Sequence, residues 1–273
     1  MAGSGSISSI EIGPVRVTVE SDSSWIHRSL RSEFGPFITG SGAGLRLRVT
    51  TFGEPDASCE GGIQVRRRGE ELTASRGDLK LRLGMNGGAG EASILEGSLP
   101  GVRVALRFAF TVRGLCVGAI LLHAAATRFR DRGWVFPGRS GAGKTTLMRR
   151  LASHRKLTDE TALIARHDGR WRVFATPFGG DFGLPEEPDS APVDAIMFIE
   201  KDLRSELRQI DRLEAVYRIL QHTMGWGLED RCGRVLDLAT ELTEACESFV
   251  LRLSLDADPE PLIGKRFNAN LSL

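Results

Sequence analysis

The feature that most constrains the fold is a glycine and lysine motif near the middle of the chain. Residues Gly138–Thr145 read GRSGAGKT and match G-x-x-x-x-G-K-[ST] at every fixed position. The apolar segment Trp134–Phe136 precedes the motif, and KTTLMRRLAS, which has the composition of a helix, begins at its lysine. Glycines allow successive backbone N–H groups to point at phosphate oxygens, and the following helix adds its positive end. The motif therefore predicts a strand, a phosphate-binding loop and a helix that together bind a nucleoside triphosphate.

Particular residues of this motif have expected roles. Lys144 can reach the β- and γ-phosphates, and the hydroxyl of Thr145 can bind Mg²⁺. The expected nucleotide-binding residues are Gly138, Arg139, Ser140, Gly141, Ala142, Gly143, Lys144, Thr145 and Thr146.

The tetrapeptide SGAG also occurs at Ser41–Gly44, where its surroundings differ. The strand-like sequence LRLRV follows it, with no lysine and no helix. This copy is predicted to be a loop between strands.

The residue pattern of the chain changes near Val102. Before it, from Ser6 to about Gly101, short segments with period-two patterning are separated by glycine-rich turns. After it, apolar strand-like segments alternate with helical ones, which indicates an α/β core. We therefore predict a β-rich N-terminal lobe over residues 1–101 and a P-loop nucleotide-binding domain over residues 102–273.

Composition excludes several classes of partner. The chain has 273 residues, 26% of them charged, and a formal net charge of +1, so neither a nucleic acid nor a membrane is expected as a partner. The longest apolar run, Leu115–Ala126, is too short to span a bilayer. The four cysteines lie far apart without a CxxC pair, which argues against disulfides and zinc and favours a cytoplasmic location.

Other motifs narrow the class of nucleotide-binding protein. The apolar segment AIMFIEKD ends in Glu200 and Asp202 and is a candidate for the strand that positions Mg²⁺ in ordinary P-loop proteins. No guanine-reading N/T-K-x-D motif occurs, which argues against a GTPase, and no LSGGQ signature occurs either.

Residues on both sides of the loop carry a more specific resemblance. His123, in LLHAAAT, lies fifteen residues before Gly138, and Asp159, in KLTDETALI, lies fifteen residues after Lys144. The segment Thr176–Asp181, TPFGGD, follows. This order resembles the HPr kinase/phosphorylase family and its shorter relatives, which share a fold with ATP-dependent phosphoenolpyruvate carboxykinases. The resemblance covers roughly residues 121–217.

The resemblance implies an α/β, P-loop kinase core of the HPr kinase/phosphoenolpyruvate carboxykinase type, with ATP and Mg²⁺ as cofactors. By analogy, Asp159 would be the general base and His123 would contact a phosphate or orient Asp159. Thr145 and Glu160 would bind the metal, and Asp181 would face the substrate. The acceptor would be a hydroxyl group, with serine of a protein or peptide as the first candidate. Relatives often assemble through this domain, so a homo-oligomer is consistent with the resemblance.

The chain also departs from the pattern of the family. Glu160 replaces the second Asp of an acidic pair, Gly179 replaces a histidine, and Asp181 replaces a glutamate. The loop that equips true HPr kinase/phosphorylases to recognise HPr has no counterpart, which puts HPr as substrate and the phosphorylase activity in doubt.

Each candidate residue also has an ordinary structural interpretation. Thr158 or Asp159 would suit the N-cap of a short helix, and Glu160 would suit a solvated position. His123 lies in an apolar run, where a lone histidine is often a core residue, and Asp181 would suit a turn. Arg204 and Arg208 fit a solvated helix face. The functional alternatives are a small-molecule kinase, an ATP-binding regulator without transfer activity, and carboxykinase chemistry.

Overall fold

The computed structural model of the chain describes residues 6–56, 62–183, 185–224, 232–254 and 258–267. Its described residues up to Ala119 form one compact unit, and those from Ile120 to Met224 and from Gly233 onward form a second. Both units contain a large mixed sheet and helices, so the chain is a mixed α/β protein. Within the described part of the chain, no helix is long and apolar enough to cross a lipid bilayer.

The first unit is an eight-stranded sheet with two helices. The strands are β1 (Ser6–Ile12), β2 (Val15–Ser21), β3 (Ile38–Thr39), β4 (Leu45–Phe52), β5 (Gln64–Arg68), β6 (Glu71–Arg76), β7 (Leu79–Gly84) and β8 (Ala89–Leu95), and the helices are α1 (Ser24–Phe34) and α2 (Leu99–Cys116), with a 3₁₀ turn at Gly35–Phe37. The strand order is β3-β1-β2-β4-β8-β7-β6-β5. Strand β4 alternates buried Leu45, Leu47 and Val49 with exposed neighbours, as expected for a sheet covered on one face, and α2 contacts β2, β4, β7 and β8.

The expectation that this region holds only strands and turns is wrong at α1. The hydroxyl oxygen of Ser23 accepts a hydrogen bond from the backbone N–H of Ile26 and caps the helix. Ile26, Leu30 and Phe34 recur at helical spacing and are buried, a pattern that could have been recognised in the sequence. The first SGAG copy is a loop that leads into β4, as predicted.

The second unit carries the glycine and lysine motif. Its strands are β9 (Ala119–Phe129), β10 (Arg132–Pro137), β11 (Arg155–Thr158), β12 (Thr161–His167), β13 (Arg170–Phe174), β14 (Ser190–Lys201), β15 (Glu206–Gln209) and β16 (Glu247–Leu253), and its helices are α3 (Lys144–Arg150), α4 (Arg212–His222), α5 (Cys232–Ala245) and α6 (Pro259–Phe267). The order is β10-β9-β12-β13-β14-β16-β15; β11 pairs with β9, and β10 also pairs with β14.

Strand β10 lies between antiparallel β9 and parallel β14, and β16 is parallel to β14. Strand β14 is almost entirely buried from Ala195 to Ile199, as is typical of a strand paired on both sides in a parallel arrangement. The residues of one buried cluster come from β9, β10, β14, β16 and α6, and from α3 with the residue that caps its end; they are Ala125, Trp134, Phe136, Leu147, Met148, Leu151, Ala195, Met197, Ile199, Phe249, Leu251, Ile263 and Phe267. This packing holds the end of β10 and the start of α3 in place.

Several local predictions can be compared with the second unit. The strands expected at Trp134–Phe136 and before Glu200 and the helix expected from Lys144 are confirmed. Apolar residues at helical spacing also predict a helix from Arg212, which is confirmed as α4. The helix expected around Arg204 and Arg208 is wrong, because Glu206–Gln209 forms strand β15, which pairs with β16. The glycines at 225 and 227, expected to end the helix from Arg212, and Leu255, expected to end the last strand, lie outside the described residues.

Gly133 on β10 generates a stability prediction. A Cβ atom at this position would lie 2.8 Å from the carbonyl oxygen of Pro192 and 2.8 Å from Cγ1 of Val173. Because these atoms belong to paired strands, we expect Gly133→Ala to lower the free energy of unfolding by about 1–3 kcal/mol, as measured by urea unfolding. The control is Gly233→Ala in α5, where an added Cβ meets nothing within 4 Å; equal destabilisation by both variants would contradict the prediction.

Candidate phosphate-binding and carboxylate site

Glycines make the connection between β10 and α3 possible. Gly141 and Gly143 have φ angles of +77° and +105°, a backbone region that residues with a Cβ rarely adopt. A Cβ on Gly138 would lie 3.1 Å from the Cβ of Ala142. Backbone conformation therefore favours glycine at positions 141 and 143, and close packing against Ala142 favours it at position 138.

Lys144 is buried at the start of α3 and is bound by the loop itself. Its Nζ donates to the carbonyl oxygens of Gly138 at 2.7 Å and Arg139 at 3.2 Å, and lies 2.9 Å from Nε2 of His123. Only 7% of the residue is exposed. Burial lowers the pKa of the amine below its ordinary value, although the negative charges of Glu160 and Asp159 oppose this shift. With Lys144 charged, Nε2 of His123 acts as the acceptor, which places the ring proton on Nδ1.

Strand β9 brings His123 and the acidic pair to the loop. The backbone N–H of Gly138 donates to the carbonyl oxygen of His123 at 3.3 Å. The next residue on β9, Ala124, donates its N–H to the carbonyl oxygen of Glu160 at 3.0 Å. Because these bonds leave adjacent residues of one strand, the start of the glycine loop and the turn that carries Asp159 and Glu160 lie beside each other.

Asp159 and Glu160 occupy the bend between β11 and β12. A strand follows them, so the alternative that Thr158 or Asp159 caps a helix is wrong. Hydroxyl groups hold this bend: the N–H of Thr161 donates to Oγ1 of Thr158 at 3.4 Å, and Oγ1 of Thr176 donates to the carbonyl oxygen of Thr161 at 2.6 Å. Oγ1 of Thr176 also lies 3.2 Å from Oγ1 of Thr158. The three threonines are buried and fix the position of Asp159.

The carboxylate of Asp159 binds the backbone of a second loop. Its Oδ1 accepts from the N–H of Gly180 at 2.6 Å, and its Oδ2 accepts from the N–H of Phe182 at 3.2 Å. A Cβ on Gly179 would lie 2.7 Å from the carbonyl oxygen of Gly183, and one on Gly180 would lie 3.1 Å from Oδ2 of Asp159. The space at residue 179 therefore suits the glycine of this chain and not the histidine of the family pattern.

The candidate residues border one cavity of about 560 Å³. Its wall contains almost all of the predicted site residues, namely His123, Ser140, Gly141, Ala142, Gly143, Lys144, Thr145, Thr146, Asp159, Glu160 and Asp181. The remaining two, Gly138 and Arg139, supply carbonyl oxygens to Lys144. Asp181 is exposed, whereas Asp159 is 5% exposed. The fold thus assembles residues from four separate segments of the chain.

Glu200 also borders this cavity, at the carboxyl end of β14. It accepts a hydrogen bond from Nη1 of Arg218 at 2.8 Å and from Nε of Arg252 at 3.2 Å. Burial raises the pKa of this carboxyl, but the hydrogen bonds from the two arginines outweigh burial and lower it. Asp202, the other acid suggested by the sequence, forms an ion pair with Arg252. The arginine partners lie on α4 and β16, so the sequence offered no signal for them.

Arg150, Lys201, Leu253 and Ser254 line the cavity but were not predicted. They reach it from the end of α3 and from the carboxyl ends of β14 and β16. Lys201, Leu253 and Ser254 could have been placed there only from the parallel strand order, because side chains at the carboxyl ends of parallel strands share one edge of a sheet.

The cavity suits a polyphosphate with a magnesium ion. A buried amine and a glycine loop provide donors for phosphate oxygens, and the volume lies in the range of small-molecule sites. Within the described residues no group of three or more His, Cys, Asp or Glu side chains could hold a metal ion. That finding is compatible with Mg²⁺, which typically takes one or two protein ligands, together with substrate phosphates and water. Glu160 and the hydroxyl of Thr145 are oxygen ligands of the required kind.

The two hydrogen bonds of Asp159 generate a structural prediction. We expect Asp159→Ala to increase the amide hydrogen exchange rates of Gly180 and Phe182 by about 10- to 100-fold, because each N–H loses a charged acceptor. Asp181→Ala, at the exposed neighbouring carboxylate, is the matched control and should leave both rates unchanged. Hydrogen exchange followed by mass spectrometry over residues 178–183 measures the effect; unchanged rates in Asp159→Ala would show that the carboxylate does not hold this loop.

Comparison with known proteins finds only a distant structural resemblance. No protein-family model and no curated protein sequence matches the chain. Among solved structures, the HPr(Ser) kinase/phosphatase from Coxiella burnetii aligns with a TM-score of 0.33 and 11% sequence identity, covering 55% of this chain and 90% of that protein.

Proposed function

We propose that this chain is a Mg-ATP-dependent phosphotransferase that moves the γ-phosphoryl group of ATP to a hydroxyl group, namely serine of a protein or peptide. The observation that carries the proposal is the position of the Lys144 amine, which lies against two loop carbonyls and His123 in the wall of a cavity that Asp159 also borders.

Binding of the triphosphate would rest on the loop and on Lys144. The amine now donates to the carbonyl oxygens of Gly138 and Arg139, and phosphate oxygens would be stronger acceptors because they are charged. The backbone N–H groups of the loop add further donors. Thr145 and Glu160 would hold Mg²⁺, which supplies charge neutralisation at the phosphates when it is bound.

Transfer would rest on Asp159. The acceptor oxygen forms a bond to the γ-phosphorus, and the bond from that phosphorus to the bridging oxygen of ADP breaks. The carboxylate of Asp159 accepts the proton of the acceptor hydroxyl. His123 would keep the Lys144 amine oriented towards the phosphates through its Nε2. The exposed carboxylate of Asp181 would face the acceptor.

One observation favours the regulator alternative. Both carboxylate oxygens of Asp159 already accept backbone N–H groups, so its role as a base requires one oxygen to bind a hydroxyl in addition or to exchange partners. A protein in which Asp159 only held the loop would bind ATP without transferring phosphate. Measurement of ATP binding and of label transfer in the same protein distinguishes the two functions.

Nucleotide binding gives the first functional prediction. Lys144→Met should weaken ATP binding by about 10- to 100-fold, the loss of a charged hydrogen bond to phosphate. The Lys144 amine is protonated below its lowered pKa and loses its proton as the pH rises through that pKa. ATP affinity should therefore fall with rising pH, and at a lower pH than for a site with an ordinary lysine. Lys144→Arg should remove this pH dependence, since arginine stays charged.

Titration calorimetry measures both effects. The control is Arg149→Met, which removes a positive charge from an exposed position of the same helix. Equal affinity in Lys144→Met and the unchanged protein would refute the proposed triphosphate site.

Phosphoryl transfer gives the second functional prediction. Asp159→Asn should lower the transfer of label from [γ-³²P]ATP to serine peptides by about 10²- to 10⁴-fold, because an amide cannot accept the proton. ATP affinity should change by less than about threefold, since Asp159 is not expected to bind phosphate.

Hydrogen exchange of residues 178–183 in the same variant separates a lost base from a lost loop contact. If the unchanged protein binds ATP and transfers no label to any hydroxyl acceptor, the regulator is correct and the kinase is not.

A further inference from the structure

A second cavity, of about 330 Å³, also has Asp159 in its wall. Strand β11 contributes Arg155–Thr158, and the segment after Asp181 contributes Phe182, Gly183 and the acidic residues that follow. Neither the glycine motif nor the resemblance to a kinase family assigns a role to this cavity.

Asp159 and the loop that it binds border both cavities. Gly180 and Asp181 line the first cavity, whereas Phe182 and Gly183 line the second. The N–H groups of Gly180 and Phe182 both donate to the Asp159 carboxylate. Asp159 is therefore a wall residue of both the second cavity and the proposed triphosphate site.

The wall of the second cavity carries more negative than positive charge. Its positive residues are Arg155 and Lys156, and its negative ones are Asp159, Glu186, Glu187 and Asp189.

Contacts occupy the two cations and also two of the acids, Glu187 and Asp189, the second of which pairs in addition with Arg128 at 2.6 Å. Arg155 forms ion pairs with Glu187 at 2.8 Å and Asp189 at 2.9 Å, and the Nζ of Lys156 lies 4.2 Å from the centre of the Phe182 ring. Glu186 is exposed at the rim. Because the wall holds four acids and two cations, and Glu186 lies exposed at its edge, it favours a positively charged ligand over an anion.

We propose that the second cavity binds the phosphoryl acceptor, and that it selects a hydroxyl beside a positively charged group, as in serine next to arginine or lysine in a peptide. This inference rests on the proposed phosphotransfer. The acceptor hydroxyl gives its proton to Asp159 and forms a bond to the γ-phosphorus, while the bond from that phosphorus to ADP breaks. The cationic group takes no part in the bond changes and is held by Glu186 at the edge of the cavity.

The test measures acceptor binding directly, so it does not depend on catalysis. Fluorescent peptides of one length contain a central serine flanked by arginine, by glutamine or by glutamate, and their affinities are measured by anisotropy. The arginine peptide should bind most tightly and weaken as NaCl is raised, because salt screens exposed charges. A small amino alcohol, used as competitor, shows whether the cation and hydroxyl suffice without a peptide backbone.

Variants then locate the charge. Glu186→Gln should lower the affinity for the arginine peptide by about twofold to fivefold, the effect of one exposed ion pair. Glu186→Lys should abolish the preference for the arginine peptide over the glutamate peptide. Glu241→Gln on α5, which lines neither cavity, is the control and should leave all affinities unchanged. Equal binding of the three peptides, or a preference for arginine that survives Glu186→Lys, would overturn the inference.

A parallel assay of label transfer separates this inference from the proposed function. If the unchanged protein transfers phosphate with equal rates to all three peptides, the kinase stands and the acidic acceptor site fails. If it transfers none, and the arginine preference depends on Glu186, the cavity binds cationic peptides but is not an acceptor site, and both the kinase and the assignment of an acceptor fail.

Discussion

Strand β9 is hydrogen-bonded on both sides to the segments that carry the candidate chemistry. His123 accepts from the N–H of Gly138, and Ala124 donates to the carbonyl oxygen of Glu160. These two backbone bonds set the distance between the glycine loop and the carboxylates. The Lys144 amine, bound to His123 and the loop carbonyls, lies close enough to Asp159 and Glu160 for their charges to oppose the effect of burial on its pKa. The remaining features of the site depend on this spacing.

Asp159 has a structural role that its proposed chemical role must accommodate. It is buried, its oxygens accept two N–H groups from the Gly180–Phe182 loop, and hydroxyls of Thr158 and Thr176 fix the bend on which it lies. Such fixation would cost a base some freedom to move but would hold it in one orientation, which favours proton transfer at a defined distance. It also explains why glycine stands at residues 179 and 180, where a Cβ would crowd the loop or the carboxylate.

Sequence reasoning succeeded where the signal was local. The strand before Gly138, the loop at Ser41–Gly44 and the helix from Arg212 follow from apolar patterns and glycines, each within about a dozen residues. It failed where a weak amphipathic pattern competed with strand-like neighbours, as at α1. It failed also where pairing with a distant strand decided the structure, since charged Glu206–Gln209 becomes a strand only through β16.

The sequence by itself determined the phosphate-loop pattern of Gly138–Thr145, because the glycine and lysine requirements of such a loop lie within eight consecutive residues. It also singled out His123 and Asp159 as companions, through resemblance and not through spacing. Only the tertiary structure decided that these side chains border one cavity, that Glu200 joins them with two arginine partners, and that Asp159 borders a second cavity as well. The physical reason is that strand order and backbone hydrogen bonds between distant segments bring these groups together, and no local pattern of residues encodes that order.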